Sequence, residues 1–207
     1  MPQCVIWDFD GVILDSLAVR DYGFREILRG FERAHIEELI AYHHRNGGLS
    51  RFHKIAYFFD EIVREPISDD EVARYAARFS EIMRRELSNP NYLIHDSLEF
   101  IKQNHKAMRF HIASGSEHNE LNFLCQNLGI AQYFHSIHGS PTPKIDLLAQ
   151  ILSQNRYESR DCLLIGDSVN DYEAARANAI AFYGYNNPSL RELGAGYIES
   201  FGDFVVG

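Results

Sequence analysis

Residues that mark several protein classes are scarce in this chain. It has only three cysteines in 207 residues, Cys4, Cys125 and Cys162. Their number is odd, they are far apart, and they follow no metal-ligand spacing. A disulfide framework and a cysteine metal site are therefore not expected. Cys4 and Cys162 lie in apolar runs and read as buried thiols, which suits a reducing compartment. Basic residues are also few: 20 Lys and Arg against 29 Asp and Glu give a formal net charge of −9. With no cationic surplus to neutralise a phosphate backbone, nucleic acid is not an expected partner. A small phosphate ligand stays compatible, because a bound divalent cation reverses the sign of a local site. No apolar run approaches the length of a bilayer span, so no membrane partner is expected. Met1-Pro2-Gln3 and the short apolar run ending at Asp8 lack the features of a signal peptide. The expected location is cytoplasmic. Internal repeats and low-complexity stretches are missing too.

What is present fits a packed globular chain. An apolar fraction of 45% and a charged fraction of 24% allow one compact domain, or a small core carrying an insertion, to bury a core without staples. Four continuous apolar runs read as strands covered on both faces: Cys4-Val5-Ile6-Trp7, Phe110-His111-Ile112-Ala113, Cys162-Leu163-Leu164-Ile165 and Ile180-Ala181-Phe182-Tyr183. Ser136-Ile137-His138-Gly139 is a weaker fifth. Between them lie helical patterns. Asp96 and Glu99 suggest a capping box. Leu121, Leu124, Cys125 and Leu128 share a face that stops at Gly129. Ile145, Leu148, Ile151 and Leu152 repeat at helical spacing, and Ser168 can cap a helix through Tyr172, Ala175 and Ala179. The alternation predicts an α/β fold, a Rossmann-like parallel sheet core flanked by helices. Residues 16–90 break the rhythm with helical periodicity alone. Phe52, Ile55, Ala56, Phe59, Ile62 and Val63 form one stripe. A Ser68–Glu71 capping box opens another, through Val72, Tyr75, Ala76, Phe79, Ile82 and Met83.

Polar residues gather where the strands end, the edge at which α/β sheets bind ligands. The first strand runs into Asp8-Phe9-Asp10-Gly11, the second into Ser114-Gly115-Ser116, the fourth into Gly166-Asp167-Ser168 with Asp171 one turn on. Lys144 precedes the fourth strand. Spaced by two in extended chain, Asp8 and Asp10 point to one side. Two such carboxylates plus Asp167 repel one another unless a divalent cation intervenes, and oxygen donors suit Mg2+. Taken alone, Asp8 and Asp10 could merely shape a turn. Ser114 can donate to a phosphate oxygen, and the Gly115 and Ser116 amides would sit at a helix start, an anion site; alone, Ser114 or Ser116 is simply an N-cap. Lys144 can balance charge on a phosphoryl group, or be a solvated lysine. Asp171 serves either the helix start or the metal surroundings, and the two are compatible.

The string Asp8-Phe9-Asp10-Gly11-Val12-Ile13-Leu14-Asp15-Ser16 resembles the first motif of the haloacid dehalogenase superfamily, in its phosphoglycolate phosphatase and β-phosphoglucomutase branch. Ile112-Ala113-Ser114-Gly115-Ser116 resembles the second motif, Lys144 the third, and Gly166-Asp167-Ser168-Val169-Asn170-Asp171 the fourth. The resemblance implies an α/β core of residues 1–15 and 91–207 and a helical cap of residues 16–90. It implies Asp8 as nucleophile forming an aspartyl-phosphate, and Asp10 as the acid that protonates the leaving oxygen and then helps activate water. Mg2+ would be held by Asp8, the Asp10 carbonyl and Asp167, with Asp171 behind them. Ser114, Gly115 and Lys144 would grip the phosphoryl group of a small phosphorylated metabolite. Asp10 favours phosphate chemistry, because dehalogenating and phosphonate-cleaving relatives lack it. The mutase branch carries a cap histidine where this chain has Arg20, which lowers the mutase reading. Asn178-Ala179 stands where many relatives have Ala-Gly.

The segment Arg45-Asn46-Gly47-Gly48-Leu49-Ser50-Arg51 resembles the substrate loop of the mutase branch, with Gly48 and Arg51 as candidate substrate contacts; otherwise it is an interhelical turn. His43, His44 and His53 nearby read as hydrogen-bonded histidines ahead of metal ligands. Tyr42, Tyr57, Phe58 and Phe59 read as packing. A phospho-aspartate receiver module also collects aspartates, a hydroxyl and a lysine, but carries no such helical insert.

Overall fold

The computed structural model describes residues 3–204, so the expected outer bounds of the core, 1 and 207, lie outside the described residues. Six strands, β1 (Cys4–Trp7), β2 (Arg109–Glu117), β3 (Ser136–Ser140), β4 (Cys162–Gly166), β5 (Ala181–Tyr185) and β6 (Gly196–Ile198), form one sheet in the order β3-β2-β1-β4-β5-β6. Every pairing is parallel. The helices are α1 (Leu17–Ile27), α2 (Arg33–Arg45), α3 (Arg51–Tyr57), α4 (Asp69–Glu86), α5 (His95–Asn104), α6 (His118–Asn127), α7 (Lys144–Asn155) and α8 (Val169–Ala177). None is long and apolar enough to cross a membrane. The expected Rossmann-like α/β fold is what forms.

The uniform apolar character of β1 follows from two separate cores. Val5 and Trp7 join a cluster with Phe110, Ile112 and Phe100. Cys4 and Ile6 point the other way, to Leu148, Ile151 and Ala175. Period-two alternation puts both sets in apolar surroundings. From β1 the chain steps outward to β2 and β3, then returns to place β4 on the other side of β1, so the crevice at the sheet's switch point opens between the ends of β1 and β4.

Helices α1 to α4 fill the gap before α5. The chain leaves and re-enters side by side: the Asp15 amide donates to the Tyr92 carbonyl at 2.7 Å, and Ile94 to Ile13 at 2.9 Å. Phe24, Ile55 and Phe79 of this segment belong to the same cluster as Trp7. The α3 stripe continues through a π-helical turn, Phe58–Val63, which keeps Phe58, Phe59 and Ile62 buried together. Tyr42 and Tyr57 stack at 3.8 Å. The Ser68–Glu71 capping box forms as expected.

Two local expectations need correction, and one strand was missed. Asp96 and Glu99 make no capping box, since α5 starts at His95 without a side-chain cap. The Asp96 carboxylate instead accepts from the Phe201 amide, Ser200 Oγ and Tyr185 Oη at 3.0–3.2 Å, tying down the chain's last turns. Ile145 is 46% exposed and Leu147 takes the core position. Burial of Lys144, the first residue of α7, sets that helix's phase. Strand β6 was not anticipated: three residues carry too short a pattern.

Candidate active site

Asp8 follows β1, and its amide donates to the Ile165 carbonyl at 2.9 Å, prolonging the pairing with β4. Asp167 and Asp171 follow β4, and the three carboxylates offer oxygens within 4.8 Å of one another. Gly11 makes that approach possible. Its φ is +73°, and a Cβ there would lie 1.9 Å from Asp167 Oδ2. Lys144 Nζ lies 2.8 Å from Asp8 Oδ1 and also bonds Asp171 Oδ1. Asp171 meanwhile closes a capping box with Ser168 at the start of α8, so it holds the helix start while its other oxygen faces the cluster.

Three acidic groups thus share one ammonium. Burial pushes the Asp8 carboxyl up to about 7; Lys144 opposes this, and the charges of Asp171 and Asp10 add to it. Burial, then Asp8 and Asp171, hold Asp167 well above the usual carboxylate range. Burial would lower Lys144, but Asp171 and Asp8 outweigh it and raise the ammonium's affinity for its proton. A site made only of hard oxygen donors, short of positive charge, with a glycine cleared beside it, fits a divalent cation such as Mg2+.

The Asp10 side chain belongs to a different set of contacts. It accepts from Ser16 Oγ at 2.5 Å, Ser116 Oγ at 2.6 Å and Arg20 Nε at 2.7 Å. Burial would raise this carboxyl; Arg20 and the two hydroxyls reverse the effect and hold it below the usual range. Asp8 and Asp10 therefore line one cavity in opposite electrostatic surroundings.

Ser114 is 1% exposed and lines the same cavity. The expected helix start at Gly115 and Ser116 is corrected: β2 runs on to Glu117, which caps α6 by accepting from the Asn119 and Glu120 amides. The Ser116 amide is spent on Ser114 Oγ at 3.1 Å. Gly115 instead serves as a contact surface, since a Cβ there would meet the Gly48 carbonyl oxygen at 2.6 Å. The loop after α2 thus seats directly on the end of β2, with Gly48 in the cavity wall.

Arg51 reaches the cavity, but its guanidinium is engaged. It forms a two-pronged pair with Glu120 of α6, donates to Ser80 Oγ at 2.7 Å, and lies 4.6 Å over the Phe79 ring. Glu120 is fully buried and also faces Arg20 at 3.4 Å. Of the three histidines, His44 bonds Asp21 and His53 bonds Tyr42. His43 accepts or shares a hydrogen bond with Lys54 Nζ at 3.0 Å.

Sequence reasoning passed over Lys54 and Glu120, quoted Ser16 only within a motif, read His43 as a hydrogen-bonded histidine, and gave Ser116 a backbone or N-cap role. Ser116 was recoverable, because it stands two residues from Ser114 in extended chain. Lys54 sits one turn beyond Arg51, so helical spacing pointed to it. Glu120 carried no signal, since an acid in the first turn of a helix ordinarily faces solvent.

The sequence model of haloacid dehalogenase-like hydrolases matches residues 2–178. A phosphorylated carbohydrates phosphatase of Thermotoga maritima is 23% identical over 188 residues, covering 86% of this chain and 82% of that one. Among solved structures, β-phosphoglucomutase of Clostridium difficile superposes with a TM-score of 0.81 at 16% identity, over 100% of this chain and 94% of that one. CbbY of Rhodobacter sphaeroides, solved with phosphate, gives 0.72 at 18% identity, over 98% and 96%.

Proposed function

Because the chain belongs to the haloacid dehalogenase-like hydrolase family, we propose that it is a Mg2+-dependent phosphatase that moves the phosphoryl group of a small phosphomonoester onto Asp8 and then to water. The observation that carries this reading is the pairing of Asp8, whose carboxylate has Lys144 as its one donor among the described residues, with a separately held Asp10 in one cavity. A carboxylate nucleophile divides hydrolysis into two easier steps. In the first, the Asp8 oxygen not engaged by Lys144 bonds to phosphorus while the bond from phosphorus to the leaving oxygen breaks. The leaving oxygen takes a proton from Asp10. In the second, water attacks phosphorus, Asp10 accepts the water's proton, and the Asp8 carboxylate is released with inorganic phosphate.

Asp10 rests in the base form, because Arg20, Ser116 and Ser16 hold it ionised. To act as an acid it takes up a proton from solvent as the incoming substrate's leaving oxygen displaces these donors. Lys144 and the Ser114 hydroxyl grip the phosphoryl oxygens. Mg2+, held by Asp8, the Asp10 carbonyl and Asp167 with Asp171 beside them, would neutralise charge on the phosphoryl group during transfer. Residues 16–90 act as a cap that excludes bulk water; their two ends cross side by side at Ile13–Asp15 and Tyr92–Ile94, which suits a hinge. The name of the Thermotoga relative supports a small phosphorylated metabolite as substrate, and three buried free thiols suit a cytoplasmic location.

A phosphate-release screen over phosphorylated metabolites, run with Mg2+ and with chelator, tests the reading. Inorganic phosphate should appear only with Mg2+, and Asp8→Asn should abolish release while leaving the circular dichroism spectrum unchanged. Full activity in Asp8→Asn would reject it. An isomerised hexose phosphate with no phosphate released would instead favour the phosphosugar mutase. A receiver module is disfavoured, because its sheet order is 2-1-3-4-5 while this chain's is β3-β2-β1-β4-β5-β6.

A further inference from the structure

Four basic side chains stand at the cavity: Arg20, Arg51 and Lys54 line it, and Lys144 backs its wall through Asp8. Three have carboxylate partners. Arg20 faces Asp10 and Glu120, Arg51 faces Glu120, and Lys144 faces Asp8 and Asp171. Lys54 has none. Among the described residues no carboxylate lies within 4.0 Å of its Nζ, although the residue is only 3% exposed.

Its hydrogen bonds go to neutral acceptors, His43 Nδ1 at 3.0 Å and the Gly47 carbonyl at 3.1 Å. An ammonium has three N–H donors, so one remains. His43 is held neutral by burial and by Lys54 itself, then Arg20. It therefore accepts at Nδ1 and carries its proton at Nε2, which has no partner. A buried cation with neutral partners is costly, and burial together with Arg20 brings the Lys54 ammonium down to about 7. The anions that pull the other way, Asp10 and Asp8, are already engaged by Arg20 and Lys144. The arginine that the loop motif suggested as a substrate contact is occupied by Glu120, and the lysine one turn later on α3 is left without a counter-ion.

We propose that Lys54, held by His43 and the Gly47 carbonyl, is the specificity-determining residue of this site, and that it binds a second anionic group, a carboxylate or a further phosphoryl, on the leaving-group part of the substrate. The inference rests on the phosphatase reading above. It narrows the substrate from any small phosphomonoester to one bearing a second negative charge. A charge-assisted hydrogen bond in a dry site is worth about 10- to 150-fold in binding. The apolar rings of Phe24 and Phe79, on the same wall, exclude the water that would otherwise weaken it.

The test compares kcat/KM on matched pairs with Mg2+ present. Phosphoglycolate is set against ethyl phosphate, and a sugar bisphosphate against its monophosphate, with p-nitrophenyl phosphate as the reference. Wild type should prefer the anionic member of at least one pair by about tenfold or more; the pair that shows it distinguishes carboxylate from phosphoryl. Lys54→Met should bring that preference to within about threefold of unity, and its loss on the anionic substrate should exceed its loss on the reference by about tenfold. Lys54→Arg should keep most of the preference. Turnover of the reference with no anionic preference in wild type would overturn the Lys54 assignment and leave the phosphatase reading standing, as would a preference that survives Lys54→Met. No turnover of any substrate by wild type would overturn the phosphatase reading itself. If Lys54→Met does not fold, the wild-type ratios and Lys54→Arg decide.

Discussion

Asp10 and Asp8 are two residues apart and have little else in common. Arg20 accounts for the difference, and its removal gives a direct prediction. Arg20→Met leaves Asp10 with two hydroxyl donors and leaves Glu120 with Arg51 alone. Breaking a buried ion pair from one side costs about 3–5 kcal/mol, so urea unfolding should report a loss near the lower end, because the Asp10 side chain is 25% exposed. The Asp10 carboxyl rises when its main cationic partner goes. The alkaline limb of the pH–kcat/KM profile, where the proton that Asp10 gives to the leaving oxygen is lost, should therefore move to higher pH. An unmoved limb would show that Arg20 does not set the charge of Asp10.

Two buried groups make opposite contributions to stability against pH. His111 is fully buried against Ser136 and Tyr157, and burial, then His135 and His138, push it down to about 4. Between about 6.5 and 4 the unfolded chain binds the proton and the folded one does not, so this contribution is lost as pH falls. Asp8 is raised to about 7 in the absence of a cation. The folded chain then binds the extra proton, so stability is lost as pH rises from about 4 to 7. The two oppose each other below about 6.5. With chelator, the thermal midpoint of Asp8→Asn should fall on acidification from pH 6.5 to 4.5, and that of His111→Gln should rise. Parallel slopes in the two variants would contradict the assignment.

Elements carry the next set of consequences. The loop before α3 sits backbone to backbone on the end of β2, so Gly115→Ala cannot be absorbed by a rotamer change: its Cβ would meet a carbonyl oxygen. The variant should hold the loop off the cavity. Limited proteolysis should then cut within residues 45–50 faster, and kcat/KM should fall about tenfold or more, as misplacement of positioning groups does. Farther off, Ala179 holds a φ of +54° after α8, the left-handed region that costs a non-glycine residue about 1–2 kcal/mol. Ala179→Gly should raise stability by about 0.5–1 kcal/mol once the glycine's greater unfolded freedom is counted.

At this scale the sequence was a good guide where pattern and burial coincide. β1, β4 and the Ser68 capping box were legible because continuous apolar runs and a capping box are local signals. The fate of Asp96 was not. Its partners, Tyr185, Ser200 and Phe201, lie about ninety residues or more away, and an Asp-x-x-Glu pair looks like a capping box whatever the distant chain does. The same holds in the cavity. Asp8, Ser114, Lys144 and Asp167 announce themselves at strand ends. The engagement of Arg51 by Glu120 depends on how α3 meets α6, which periodicity does not encode.

For the whole molecule, a cation at the acidic cluster, as proposed above, would be a stability matter as well as a catalytic one. A cation that binds the folded chain alone stabilises it by mass action. Adding Mg2+ to chelated protein at pH 8 should raise the thermal midpoint by several degrees; a change of about 1 kcal/mol shifts a chain of this size by about 2–4 °C. In Asp167→Asn the rise should shrink, and an undiminished rise would place the ion elsewhere.

Glu120 has one further consequence. A single carboxylate faces a guanidinium that holds Asp10 ionised and another that fastens α3 to α6. Neither can be perturbed in isolation. Combining Arg20→Met with Arg51→Met should cost more than the sum of the separate losses, because the second removal leaves a fully buried carboxylate with no counter-charge. Chemistry and closure would then respond to the same disturbance together, and an enzyme left ajar would also be one whose proton carrier has lost its tuning.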